Sequence, residues 1–382
     1  MNRQYLYMTA MNVKRSSYTL HRIKASQLFY PKGAPDSAAA AVEVRSVPPP
    51  TMAFYPPRSE HRLEIMEFML FGSNRNKIVC TDERGQAVLY DDGLQAVRML
   101  PSLRKPKWEP VPLAVGDNLL VMEAIPKNDQ EKEHQSFEVL VYGERPKIFK
   151  GEDFFWHSIP PPPYVYAPDY GIHRSDVITA CTAVNSSSIL ISREPRHLLL
   201  GHSKWSKTFF REGGYMAGGA ADATTSPSTP PPPPEQGLPP LSLPFKGLAE
   251  YVPEYNLLFG VSARVFGVLC ASDLGAASAK QMPPVVFQEW EGFAAPEGTE
   301  IESYLLHLGA GRFCVAKSIM TTRLQEMSGQ SCCFHEKSTL TVDKLVMFTG
   351  VEIQRCGRGL KVIKHKSFRY SMRPCGMPHI LY

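Results

Sequence analysis

Strand-sized apolar runs come in pairs joined by short polar turns, and the pairs recur along almost the whole chain. YLYMTA and YTLHRI form the first pair. EIMEFMLFG and NKIVCTD follow, then AVLYDDG, where Asp91 and Asp92 close a strand and hand over to a turn. Further pairs are GDNLLVMEAI with SFEVLVYG, DVITACTAV with SILIS, and YNLLFGVSA with VFGVLCASD. SYLLHLG with RFCVAKSI and KLVMFTGVEIQRC with GLKVIKHKSFRYS complete the series. The first strands begin near residues 64, 116, 176, 255, 303 and 344, and most steps are roughly 45–60 residues, the span of a propeller blade.

Helical periodicity is nearly absent; only residues 321–331 (TTRLQEMSGQS) read as a helical turn. The pattern therefore predicts an all-β chain: residues 1–382 as a single β-propeller-like domain of about six blades. Ring closure would leave only short protected sheet edges. Strands at both extreme ends of the chain are placed to complete one blade between them. The alternative is two β-sandwich-like domains separated by a linker near the middle.

Composition agrees with short strands and many turns, since 34 prolines in 382 residues is about twice the usual share. Residues 213–240, rich in Pro, Gly, Ala, Ser and Thr, cannot bury enough apolar surface to offset the entropy of ordering, and are expected to be a disordered low-complexity insertion. Residues 33–50 (GAPDSAAAAVEVRSVPPP) are expected to be a loop. The net charge of +5 is modest for this length and does not favour nucleic acid as a partner. Most of the eight cysteines sit inside apolar runs such as VFGVLCASD, where a reduced thiol acts as a small hydrophobe. No secretory leader or membrane-spanning run is evident, so an intracellular protein, cytoplasmic or nuclear, is expected.

The conspicuous residues have structural readings. Cys332-Cys333-Phe334-His335 does not read as a zinc site: adjacent cysteines point to opposite sides of a strand, and no second ligand pair stands at a suitable distance. LGAGRF (Leu308 to Phe313) suggests a phosphate cradle, but a strand follows it instead of a helix N-terminus, so Gly309, Ala310 and Gly311 read as a hairpin turn at positive φ. From Arg355 to Tyr382 no acidic residue occurs, while Arg355, Arg358, Lys361, Lys364, Lys366, Arg369 and Arg373 are basic. Strict alternation puts Val362, Lys364, Lys366 and Phe368 on one face and Lys361, His365 and Arg369 on the other. That split reads as a solvated edge strand protected by lysine. The prolines of WHSIPPPPYV read as a rigid connector beside Trp156 and Tyr164, and those of TPPPPPEQ as an exposed spacer. No Ser-His-Asp or Cys-His constellation can be assembled, so no catalytic, cofactor-binding or metal-binding residue is assigned and no cofactor is expected.

Several phrases carry a resemblance. YLYMTA, YTLHRI, VGDNLLVME, WHSIPPPPYV, LPFKGLAEYVPEYNLLFGVS, YLLHLGAGRFCVAKS, FTGVEI and IKHKSFRYS, in that order, are similar to a grass-expanded plant family known as domain of unknown function sixteen-sixty-eight. The resemblance covers nearly the whole chain. It implies a kelch-like or related propeller in proteins of no established biochemical activity, and it supplies no catalytic residues. The chain departs from the kelch pattern, because Gly213-Gly214 and Gly218-Gly219 fall in the insertion and not after a strand. The expected function is a non-enzymatic protein-interaction module using surface loops. The alternative is a small-ligand-binding or catalytic propeller with a site at its central channel.

Overall fold

The computed structural model describes residues 3–12, 14–31, 42–57, 65–107, 109–126, 136–144, 151–166, 176–185, 188–195, 204–209, 243–265, 267–273, 285–293, 298–326, 338–357, 359–372 and 378–382. In chain order the strands are β1 (Tyr5–Asn12), β2 (Ser17–Lys24), β3 (Glu43–Arg45), β4 (Met52–Phe54), β5 (Met66–Phe71), β6 (Lys77–Asp82), β7 (Ala87–Asp91) and β8 (Ala96–Leu100). Next come β9 (Pro110–Val115), β10 (Asn118–Glu123), β11 (Phe137–Glu144), β12 (Glu152–Ser158), β13 (Asp176–Asn185), β14 (Ser188–Pro195), β15 (Lys204–Phe209) and β16 (Phe245–Val252). The last are β17 (Leu257–Ser262), β18 (Leu269–Asp273), β19 (Val285–Trp290), β20 (Thr299–Gly309), β21 (Arg312–Glu326), β22 (Ser338–Cys356), β23 (Gly359–Ser371) and β24 (Pro378–Leu381). The described residues contain no α-helix, only two 3-10 turns at Ala25–Leu28 and Pro163–Tyr166.

Among the described residues the strands make five sheets, where the repeat spacing predicts about six blades. Four-stranded antiparallel meanders such as β5-β6-β7-β8 and β9-β10-β11-β12 are the blade unit of β-propellers, so the fold is all-β and its sheets are of propeller type. The count differs because hairpins are visible in a sequence and sheets are not. The pairs starting near 303 and 344 join into one sheet, since β21 and β22 pair from Arg312↔Glu352 to Glu326↔Ser338. The pairs starting near 176 and 255 also join, through parallel pairing of β13 with β16 at Ala180↔Gly247 and Cys181↔Leu248.

That seven-stranded sheet has the order β15-β14-β13-β16-β17-β18-β19. Residues 213–240 lie outside the described residues, but the strands on either side of them, β15 and β16, share this sheet. The stretch is therefore not a linker between two sandwiches. A second correction concerns residues 321–331: through Glu326 they continue β21 as strand, and the expected helical turn is absent there. Within the stretch expected as a loop, residues 33–41 lie outside the described residues, and Glu43–Arg45 forms β3, parallel to β23.

The chain divides into two compact units, one comprising Met1–Arg58, Phe266–Leu269 and Trp290–Tyr382, the other Ser59–Val265 and Cys270–Glu289. In the first, the sheet β24-β1-β2-β4 unites the chain ends, as the terminal strands predict. β1 and β2 form a hairpin from Tyr5↔Lys24 to Asn12↔Ser17, and β24 pairs antiparallel with β1 at Tyr7↔Leu381 through Ala10↔Pro378. Leu6, Met8 and Ala10 on one face of β1 pack with Leu306, Phe348, Phe368 and Ile380 in a continuous core. Alternation along β1 delivers those three residues to one side. Each large apolar side chain buried there contributes roughly 1.5–3 kcal/mol.

Gly350 has its own steric reason. A Cβ at that position would stand 2.5 Å from the Leu28 carbonyl oxygen, so only glycine lets the 3-10 turn Ala25–Leu28 lie against β22. Opposite it, the β22–β23 register slips between Thr349↔Ser367 and Val351↔Lys364, which inserts one extra residue into β23. This bulge breaks the strict alternation expected for the basic strand. β3 also pairs beside Phe368, Arg369 and Tyr370, so this part of β23 is not an edge.

In the second unit, Met69, Val79 and Leu89 from β5, β6 and β7 pack with Leu119, Val121, Leu140 and Trp156 of the neighbouring meander. The Trp156 indole N–H donates to the Pro101 carbonyl at 2.8 Å, which leaves its one polar atom satisfied in this core. Val165 of the following proline-rich connector is buried, and its N–H donates to the Pro162 carbonyl.

Candidate functional site

The turns expected from the sequence form as read. Gly309, Ala310 and Gly311 all have positive φ and close the β20–β21 hairpin, so LGAGRF is a turn and not a phosphate cradle. After β7, the Asp91 carboxylate accepts from the N–H groups of Gly93 and Leu94, while the Tyr90 hydroxyl donates to Asp92. Cys332, Cys333, Phe334 and His335 lie outside the described residues. Among the described residues no group of three or more His, Cys, Asp or Glu is placed to hold a metal ion. Cys80, Cys181, Cys270 and Cys314 are free, buried thiols, and desolvation pushes Cys181 and Cys270 up to about 12. A thiol held there is protonated and a poor nucleophile.

Two buried ion pairs are the strongest electrostatic features. The Lys107 ammonium and the Glu138 carboxylate are bonded with side chains almost wholly inaccessible, and Glu138 also accepts from the N–H of Arg104 at 2.9 Å. Burial lowers the Lys107 pKa, and the Glu138 charge opposes that shift. Glu138 thus clamps the segment leading out of β8 onto β11. The second pair is Lys317 with Glu300 at 2.6 Å, and Ser303 donates to the same carboxylate. In both pairs the charges neutralise each other, which is the arrangement a structural tie needs.

The basic C-terminal strand is not one stripe. Next to the bulge, the His365 ring packs against Phe29 and Tyr30, with centroids 5.0 and 5.9 Å apart. The Tyr30 N–H donates to His365 Nδ1, and Nε2 faces Glu352 Oε2 at 3.4 Å. Glu352 in turn approaches Arg312 at 3.7 Å. Phrases distant in sequence, LGAGRF, FTGVEI and IKHKSF, meet here through the β21–β22–β23 ladder. Lys366 lies over Tyr30, so part of the basic charge is committed to local contacts.

Two surfaces stand out among the described residues. The first is β8, the outermost strand of its sheet among the described residues. Leu94, Val97 and Met99 are 77%, 53% and 72% exposed, far more than apolar side chains in the inner strands. Val97 and Met99 stand opposite Tyr90 and Val88 on one face, while Arg98 on the other reaches Asp153 at 3.6 Å and lies over Phe154. Sequence reading missed this surface because AVRML looks like any half-buried strand.

The second is a pocket of about 560 Å³ on the five-stranded sheet β20-β21-β22-β23-β3. Thr321 pairs with Asp343, Leu345 with Ser371, and Arg369 with Val44, so alternation puts all six on one face. Thr299, Thr322 and Met320 complete much of the lining. Of these, only Arg369 stood out in the sequence, as one member of the basic run.

Among the described residues no helix is long and apolar enough to cross a membrane, which says nothing of β-barrel spans. No curated protein matches the chain. A solved structure of "Dihydro-heme d1 dehydrogenase NirN in complex with DHE" aligns over 96% of this chain and 75% of that one, at 10% identity and a TM-score of 0.27. A likeness that slight carries no argument about fold or function. The family model described as "Protein of unknown function (DUF1668)" matches residues 3–217 and 240–370. The chain belongs to the DUF1668 family.

Proposed function

We propose that the protein is a non-enzymatic interaction module, working inside the cell, that binds an extended segment of a protein partner along β8. The observation that carries this reading is the exposure of Val97 and Met99 on an outer strand, with Leu94 exposed in the turn that leads into it. An outer strand presents unpaired N–H and C=O groups, and apolar side chains beside them make it a template for another strand. Protected edges usually carry lysine, proline or a bulge, whereas β8 has Arg98 as its one charge. A partner strand would complete the backbone ladder while covering alternate apolar side chains.

The reading is tested by capturing partners from cell extract with the full chain and with a Val97→Lys, Met99→Lys double variant. Loss of the captured proteins from the variant, with its melting temperature kept, supports it. Equal capture by both chains refutes it. A parallel chain lacking residues 213–240 separates binding by the folded surface from binding by the proline tract.

A further inference from the structure

We propose that His365 is a proton-operated latch that holds the Phe29–Tyr30 segment against β23 and releases it in acid. The site is separate from β8, and the proposal does not depend on the reading of that strand. The bulge builds the latch. Register passes from Thr349↔Ser367 to Val351↔Lys364, so Gly350 stands opposite two residues, His365 and Lys366. A bulge re-aims side chains, and here both of them meet the residues that follow the Ala25–Leu28 turn. Glycine at 350 lets that turn come close enough, since a Cβ there would stand 2.5 Å from the Leu28 carbonyl oxygen.

The hydrogen bonds set where the proton goes. The Tyr30 N–H donates to His365 Nδ1 at 3.3 Å. A ring nitrogen that accepts a hydrogen bond carries no proton, so this bond assigns the proton of the neutral ring to Nε2. Nε2 faces Glu352 Oε2 at 3.4 Å. A second proton can enter only at Nδ1, where it turns the acceptor into a donor. Two N–H groups then face each other, and the bond to Tyr30 is lost. What the charged ring gains is a stronger attraction to Glu352. That carboxylate is held ready, with Gln354 Nε2 donating to Oε1 at 2.6 Å and Arg312 Nε 3.7 Å from Oε2. Against the charged ring stand two cations, Arg312 over Phe29 and Lys366 over Tyr30, and Glu43 of β3 attracts Lys366 in turn. The Tyr30 phenol is the other titratable group beside the ring. His365 therefore has two arrangements one proton apart, neutral on Tyr30 or charged on Glu352. Leu28 and Phe29 are 0% and 8% exposed in the core, so the opening is local to Tyr30 and the β21–β22–β23 ladder stays closed.

The test is hydrogen exchange of the Tyr30 amide in the full chain, corrected for the intrinsic pH dependence of exchange, with the His365 ring nitrogens followed by nuclear magnetic resonance. Protection of Tyr30 should fall about tenfold between about pH 8 and pH 5, the range over which histidine ordinarily changes charge, in step with the ring titration. The Val351–Ile353 amides should keep theirs. His365→Asn offers an amide oxygen in place of Nδ1 and does not titrate, so Tyr30 should stay protected in acid. Glu352→Gln removes the carboxylate that favours the charged ring and should move the loss to lower pH. Tyr30 protection that is constant across this range overturns the proposal, as does an equal loss in the His365→Asn chain. A proton found on Nδ1 at neutral pH also overturns it, and that measurement needs no variant to fold.

Discussion

The Arg3 guanidinium donates from Nη2 to the Leu381 carbonyl at 2.8 Å, across 378 residues of chain. Arg3 is 3% exposed, its Nε donates to Tyr5 O, and its own N–H donates to Leu308 O. The buried side chain therefore joins the first strand to the last, while the main chain of the same residue ties on β20. Arg3→Met keeps most of the apolar stem and removes the donors. It should lower unfolding free energy by about 2 kcal/mol, measured by urea denaturation, because a charged hydrogen bond to a buried carbonyl is lost.

Gly350→Ala should destabilise by about 2 kcal/mol, although alanine is ordinarily at ease in a strand. The added methyl meets the Leu28 backbone at 2.5 Å, and backbone cannot rotate away as a flexible side chain would. Thermal melting of the variant beside Gly143→Ala is the check, since a Cβ at Gly143 meets nothing within 4 Å.

Glu67 has its pKa pushed up to about 7 by burial first and by the Glu109 charge second. A carboxyl whose folded pKa exceeds its unfolded value binds protons more tightly when folded. Its contribution is fully present below pH 4.5 and is lost as pH rises through about 7. Glu67→Gln should remove that loss and raise stability at pH 8 by up to roughly 3 kcal/mol, read from denaturation midpoints across pH.

His21 works in the opposite direction. Burial lowers its pKa, against the opposing pull of the Pro48 carbonyl, which lies 2.7 Å from Nδ1. The neutral ring donates from Nδ1 to Pro48, and the Thr19 hydroxyl lies 2.8 Å from Nε2. Folded His21 binds its proton more weakly than the unfolded chain does, so stability is full above pH 6.5 and declines as pH falls below it. His21→Gln should flatten that decline. Because Glu67 and His21 tilt stability oppositely over overlapping pH ranges, each slope has to be measured in the other's variant.

The strand pairs were legible because alternation and turn chemistry are local. Asp91 and Asp92 announce the turn after β7, and Gly309-Ala310-Gly311 announces the β20–β21 hairpin. Lateral assembly was not legible. That β21 would pair with β22 beyond their shared sheet partners, or that β13 would pair parallel with β16, depends on contacts between distant segments. The bulge in β23 moved His365 towards Glu352 and Tyr30, and a one-residue insertion in register leaves no trace in composition. The pocket was missed for the same reason: Thr321, Asp343, Ser371 and Val44 come from four strands and meet only through register. The exposure of β8 was hidden because Val97 and Met99 are ordinary strand residues until their lack of neighbours is seen.

Hydrogen exchange of the β8 amides, with and without a captured partner, decides whether β8 takes up a partner strand. Exchange should slow across Ala96–Leu100 in the complex, as a partner strand takes up the outer N–H groups. Unchanged exchange in β8, with protection appearing elsewhere on the chain, would contradict it.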